Sequence, residues 1–349
     1  MRHPRDVLDG CKEAQLALPV CDHYSGVESR MLKSLALQSE MTEEFGTCVF
    51  DVTLDCEDGA RVGGERDHAQ MVKEIAEHAR SKRAGEAANK MARVAVRLHP
   101  VDHPAFQEDV DVIIGGAAAG LCHVMLPKVE SVGDVERAVQ LIDRAALMSG
   151  RLVPLPLHVL IESAAAVGRA PGIASHARVQ SMSFGLMDFV SSHGGAIPAS
   201  AMGVDLSLST DVLDQFSHPL VLRAKLEISA ACHAEGKVPS HCVVTEFEDA
   251  TAIKAAATRA FRSLGYTRMW SVHPAQIRPI LAAFSPQTEE IDLAANIILT
   301  AANANWAPIS LGGQLHDRAS YRYYWQVLER ARQTGVPLAN ELAAFWHEA

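Results

Sequence analysis

Short apolar, β-branched runs alternate along the chain with longer stretches whose apolar residues recur every three or four positions. Strand-like runs are read at QLALPV (15–20), CVFDVTLDCEDG (48–59), MARVAVRLHP (91–100), LCHVMLPKVES (121–131), LHVLIES (157–163), VQSMSFGLMDF (179–189), SHCVV (240–244) and TRMWSVHPAQI (267–277). Helical periodicity follows each of them, as in 66–83, 135–147, 220–236 and 249–265. Strand-then-helix units repeated eight times are the count of a (β/α)8 TIM barrel, an α/β fold. Near-continuous apolar strands suit a parallel sheet covered on both faces. Residues 1–284 are read as the barrel. Residues 285–349, with helical patterns at 288–305 and 321–335, are read as a C-terminal helical extension packing on the barrel or on a neighbouring subunit.

Composition narrows the class. The chain has 349 residues, 48% hydrophobic and 21% charged, as expected of a globular protein. A net charge of −10 argues against nucleic acid as a partner. Seven cysteines at irregular spacings, with no CxxC pair, read as free thiols in a reducing cytoplasm. No apolar run is long enough for a membrane span.

The strand ends carry the chemistry. Ligand-binding groups of a barrel gather at the C-terminal ends of its strands. Here those ends present Asp55, Glu57 and Asp58, then Arg97 and His99, Lys128 and Glu130, Glu162, Asp188, and His273. Each has a plainer reading. The DCED run suits a helix N-terminus, Arg97 an ion pair with it, Lys128 and Glu130 a surface pair, and His273 a helix start. Glu162 and Asp188 are harder to place structurally, because each follows a strongly apolar run with no cation beside it in sequence. Two carboxylates on adjacent strands suit a hard cation such as Mg2+, with Mn2+ as the alternative. Gly185 is expected to leave room for ligand beside the metal. Zinc is disfavoured, since sixteen histidines make no HxH or HExxH spacing. A glycosidase-type carboxylate pair would leave Arg97 and Lys128 unexplained.

In order along the chain, LDCEDGA, VAVRLHP, VMLPKVES, VLIESAAAV, FGLMDF and SVHPAQI resemble motifs of the citrate lyase β-subunit-like family, which includes malyl-CoA and citramalyl-CoA lyases. GGQLHDRAS resembles a tail stretch whose aspartate reaches the site of the next subunit. The resemblance implies a (β/α)8 barrel assembled as a homotrimer or homohexamer, with one Mg2+ held by Glu162 and Asp188. It implies that Arg97 binds the 2-oxo acid carboxylate, that Glu57 and Asp58 support the metal-bound waters and the arginine, and that Asp317 is an acid/base lent by a neighbour. Lys33 matches a position that binds CoA, and Lys128 and His273 are assigned to substrate or CoA. His99 stands where the family usually has Asn, and Met187 where many members carry a polar residue. The implied activity is cleavage of a 3-hydroxyacyl-CoA thioester into a 2-oxo acid and an acyl-CoA. A class II aldolase of free 2-oxo acids and a non-catalytic thioester- or partner-binding barrel are the alternatives.

Overall fold

The computed structural model describes residues 3–8, 18–82, 85, 87–207, 212–343 and 345–346. Two compact units are present, one spanning Pro19–Ala283 and one formed by Met1–Leu18 with Phe284–Ala349.

The larger unit is a closed barrel of eight strands in chain order. These are β1 Cys21–Ser25, β2 Phe50–Asp55, β3 Val94–Arg97, β4 Leu121–Leu126, β5 Leu157–Ile161, β6 Val179–Phe184, β7 Val238–His241 and β8 Arg268–Ser271. All neighbours pair in parallel, and β1 closes on β8 with Cys21 opposite Met269. Helices connect the strands. Val132–Met148 starts at a Ser131–Asp134 capping box and buries Val135, Ala138, Ile142 and Ala145 at helical spacing. Ala250–Leu264 starts under the Asp249 carboxylate and ends at Gly265, whose φ of 74° is the left-handed C-cap.

The first strand is not the apolar run 15–20. Residues 15–17 lie outside the described ones, and β1 is the polar-looking CDHYS, buried along its whole length. The reason lies in the lumen, which also corrects the expectation of strands apolar on both faces. Side chains alternate in direction along a strand. Val52, Leu54, Val94, Val96, Val124, Leu126, Val159 and Ile161 are buried. The alternate set carries Asp22, Asp51, Thr53, His123, His158, Ser181, Ser183 and Arg268, also buried. Arg268 Nη2 lies 2.9 Å from Asp22 Oδ2 and 2.6 Å from Asp51 Oδ2. Thr53 donates to Asp22 at 2.7 Å, and Arg93 Nε donates to Asp51 at 2.5 Å. Buried charges are tolerated when paired in this way. Toward the C-terminal ends of the strands an apolar layer of Tyr24, Met125, Leu160 and Trp270 follows. Tyr24 and Trp270 pack ring on ring at 4.4 Å, and the indole N–H donates to Ser183 Oγ. This layer floors the barrel mouth.

The smaller unit packs helices Thr288–Asn303 and Arg318–Gln333 around Ile298, Tyr321, Trp325 and Leu328. An antiparallel hairpin, β9 Ile309–Leu311 and β10 Gln314–His316, joins them. Its turn is Gly312–Gly313, both at positive φ as a tight two-residue hairpin turn requires. The expected boundaries shift at the N-terminus. Helix Pro4–Leu8 belongs to this unit, because Leu8 is buried in its core and Arg5 pairs with Glu329.

Candidate active site

β2 and β3 lie side by side with Asp55 opposite Arg97. The Asp55 carboxylate accepts from Arg97 Nε and Nη2, both at 2.7 Å. Chain turns after Asp55 bring two more carboxylates to the same guanidinium, Glu57 at Nη1 and Asp58 at Nη2, each at 2.7 Å. Arg97 is buried and lies over the Tyr24 ring, whereas the Asp58 side chain is 76% exposed. Gly59 makes this turn fit, since a Cβ there would run into the backbone oxygens of Asp55 and Gly26.

β4 leads to Lys128, a non-glycine residue held at φ 51°, in the left-handed region. That conformation aims its backbone N–H at Glu162 Oε2, 2.6 Å away, while Nζ reaches Glu57 Oε1 at 2.6 Å. Strain of this kind persists only where surrounding contacts fix it. Glu130 does not pair with Lys128 and instead accepts from Ser163 Oγ at 2.8 Å.

Glu162 follows β5 and is buried. Burial, then the charges of Asp188 and Glu57, push its carboxyl up to about 7. Gly185 stands beside it, and a Cβ there would collide with the Glu162 side chain. The expected ligand space at Gly185 is thus taken by the carboxylate itself. Asp188 is not at a strand end. β6 stops at Phe184, and Asp188 lies in the first turn of helix Leu186–Ser191, exposed, with its charge felt by both Glu162 and Lys128.

These six residues, Arg97, Glu57, Asp58, Lys128, Glu162 and Asp188, share one end of the barrel. Among the described residues no group hydrogen-bonds Glu162 Oε1 or the Asp188 carboxylate. An all-oxygen pair whose like charges oppose each other, with oxygens left unbonded, fits a hard divalent cation. Two other potential ligand clusters, Asp22–His123–His158 and Asp51–Cys122–His123, include the Arg268 partners Asp22 and Asp51. Arg268 already supplies the positive charge there.

Lys33 lies exposed on helix Glu28–Phe45. His273 caps the turn Pro274–Gln276, with Nδ1 accepting from the Ala275 N–H at 3.3 Å, and packs against Phe247. Asp317 belongs to the smaller unit. It caps helix Arg318–Gln333, accepting from Ala319 N at 2.9 Å and Ser320 N at 3.3 Å. It borders a hollow of about 590 Å³ with Asn305, Trp306 and Arg318.

Sequence reasoning named Asp55 only within DCED, as an ion-pair partner of Arg97, and that pairing is present. It passed over the Tyr24–Trp270 floor and the pairing of His99 with Asp109.

Residues 31–274 match the family described as HpcH/HpaI aldolase/citrate lyase. The chain is 29% identical over 245 residues to an L-malyl-CoA/beta-methylmalyl-CoA lyase of Cereibacter sphaeroides, covering 68% of this chain and 76% of that one. It is similar to the crystal structure of a citrate lyase from Burkholderia xenovorans LB400, with 46% identity, a TM-score of 0.79, and 99% and 100% of the two chains covered. A Mycobacterium tuberculosis protein solved with magnesium, acetoacetate and coenzyme A shares the fold at 20% identity and a TM-score of 0.61, over 90% of this chain and 98% of that one. Barrel, mouth and sequence agree: the chain belongs to the HpcH/HpaI aldolase/citrate lyase family of carbon–carbon lyases.

Proposed function

We propose that the chain is a Mg2+-dependent lyase that cleaves a 3-hydroxyacyl-CoA thioester of the malyl-, citramalyl- or citryl-CoA class into a 2-oxo acid and an acyl-CoA. The observation that carries this reading is the Glu162–Asp188 pair with Arg97 in one barrel mouth. Similarity to the malyl-CoA lyase of C. sphaeroides supports the thioester class.

Glu162 and Asp188 would hold the cation, with Mn2+ as a substitute. Mg2+ would supply positive charge beside the 2-hydroxyl, whose proton leaves to solvent water. Arg97 orients the substrate carboxylate. Its fork is filled by Asp55, Glu57 and Asp58, so an incoming carboxylate takes the place of the exposed Asp58. Asp55 keeps the guanidinium plane fixed while this exchange occurs. The Lys128 N–H holds the Glu162 carboxylate, and Glu57 bridges Lys128 to Arg97. As the carbon–carbon bond breaks, its electron pair passes to the thioester enolate, whose carbon then takes a proton. Asp317 of a neighbouring copy is the proposed donor, in a homotrimer or homohexamer. Lys33, Lys128 and His273 are the proposed contacts to the CoA moiety.

The test is a cleavage screen with malyl-, β-methylmalyl-, citramalyl- and citryl-CoA, read by trapping the 2-oxo acid. Release from at least one thioester is expected. Release from none, with free 2-oxo acid aldols cleaved instead, would overturn the thioester reading.

A further inference from the structure

The floor of the barrel mouth holds a donor that the lyase chemistry leaves unused. Tyr24 points inward from β1, and its ring lies 5.3 Å from the Arg97 guanidinium and 4.4 Å from the Trp270 ring. These contacts fix the plane of the ring. Its hydroxyl reaches across the barrel: β4 stands three strands from β1, yet the O–H donates to Met125 Sδ on β4. Met125 lies opposite Arg97 in the β3–β4 register, so the hydroxyl ends beside the rung that carries the guanidinium. The charged groups whose fields reach its oxygen are Asp22, deeper in the lumen, and then Arg97, Asp55 and Glu162.

The other donors described at this mouth are held by oxygen. Arg97 gives its N–H groups to Asp55, Glu57 and Asp58. Lys128 gives Nζ to Glu57 and its backbone N–H to Glu162, and Trp270 gives its indole N–H to Ser183. Tyr24 alone among them is held by a thioether, a weak acceptor. Exchanging that sulfur for an anionic oxygen would cost little and gain a charge-assisted hydrogen bond. With the substrate carboxylate at Arg97 and the cation at Glu162 and Asp188, the 2-hydroxyl lies between them, and Arg97 and Glu162 are two of the groups that reach the Tyr24 oxygen.

We propose that Tyr24 is a catalytic hydrogen-bond donor: its hydroxyl leaves Met125 and donates to the substrate 2-hydroxyl oxygen as that oxygen gives up its proton and becomes the ketone of the 2-oxo acid. The inference rests on the reading of this mouth as a 2-oxo acid site. Tyr24 itself transfers no proton. Burial, then the charge of Asp22, holds the phenol well above its ordinary range, so it remains a donor throughout. Negative charge gathers on the substrate oxygen between loss of its proton to water and rupture of the carbon–carbon bond. A donor aimed there stabilises that stage more than the resting substrate.

Tyr24→Phe keeps the ring against Arg97 and Trp270 and removes only the O–H. On the same four CoA thioesters it is expected to lose about 100-fold in kcat with KM within about threefold. Met125→Leu removes the resting acceptor and is expected to keep kcat within about threefold of wild type. Magnesium should raise the melting temperature of Tyr24→Phe as it does that of the wild type. A Tyr24→Phe kcat within about threefold of wild type overturns this inference alone. So does an equal loss in both variants, which marks the Tyr24–Met125 contact as structural, or a lost magnesium response in Tyr24→Phe. A wild type that cleaves none of the four overturns the thioester reading, and the inference is then read from calorimetric binding of glyoxylate and pyruvate with Mg2+. Binding about fivefold weaker in Tyr24→Phe supports it, whereas equal binding, or no binding by the wild type, overturns it as well.

Discussion

Glu162→Gln is expected to stabilise the metal-free protein. The Glu162 carboxyl is pushed from an ordinary 4.5 up to about 7, first by burial and then by Asp188 and Glu57. The folded chain therefore binds this proton more tightly than the unfolded chain. Ionised Glu162 costs the fold nothing below the unfolded pKa. The cost grows as pH rises between the two values and is complete above the folded one. At about 1.4 kcal/mol per pH unit the full penalty is about 3 kcal/mol. Glutamine is close in shape, carries no charge, and can accept from the Lys128 N–H that now binds Oε2. Urea unfolding of chelator-treated wild type and variant would measure the gap. At about pH 8.5 the variant is expected to be more stable by about 3 kcal/mol, and at about pH 5 the gap should shrink below about 1 kcal/mol. Magnesium should stabilise the wild type and leave the variant unmoved. A variant no more stable than wild type at high pH, or a gap that ignores pH, would refute the account of Glu162 as a carboxylate held in want of a counter-ion.

Other outcomes follow from the same geometry. Gly185→Ala drives a Cβ into the Glu162 side chain, and magnesium-induced stabilisation in a thermal melt should fall with little change in the metal-free melt. Gly59→Ala meets two backbone oxygens that cannot yield cheaply, and should cost about 1–3 kcal/mol in urea unfolding together with a drop in kcat/KM. Arg268→Met leaves buried Asp22 without a guanidinium and Asp51 with Arg93 alone, and denaturation should show a loss of about 3–5 kcal/mol. Arg97→Ala and Asp317→Asn are each expected to be inactive. Mixed after subunit exchange, they should regain a fraction of the lyase rate, because hybrid sites pair an intact Arg97 with an intact Asp317; no recovery would count against a shared site.

The barrel could be read from sequence because strand and helix periods alternate eight times, and several strand ends announce themselves where an apolar run meets ionisable residues. LDCEDG, VRLH, LPK and LIES needed no partner to be noticed. The lumen was hidden for the opposite reason. Asp22 looks misplaced in a strand until Arg268 is brought against it from β8, a pairing no local window contains. The alternation itself was visible in FDVTLD, but an apolar reading of parallel strands masked it. SMSFGLMDF reads as one strand because only small and apolar residues precede Asp188, yet pairing with β5 ends at Phe184 and the chain turns into a helix after Gly185. The function of Gly185 is steric and depends on where Glu162 points, which periodicity does not encode.

The central claim is that Glu162 and Asp188 bind the magnesium that drives thioester cleavage. The direct measurement is malyl-CoA cleavage by metal-stripped protein as Mg2+ is returned, alongside Glu162→Ala and Asp188→Ala. The expected result is no 2-oxo acid without Mg2+, recovery in the wild type with about one ion bound per chain, and no recovery in either variant. Undiminished cleavage in the stripped wild type, or in either variant, would contradict it.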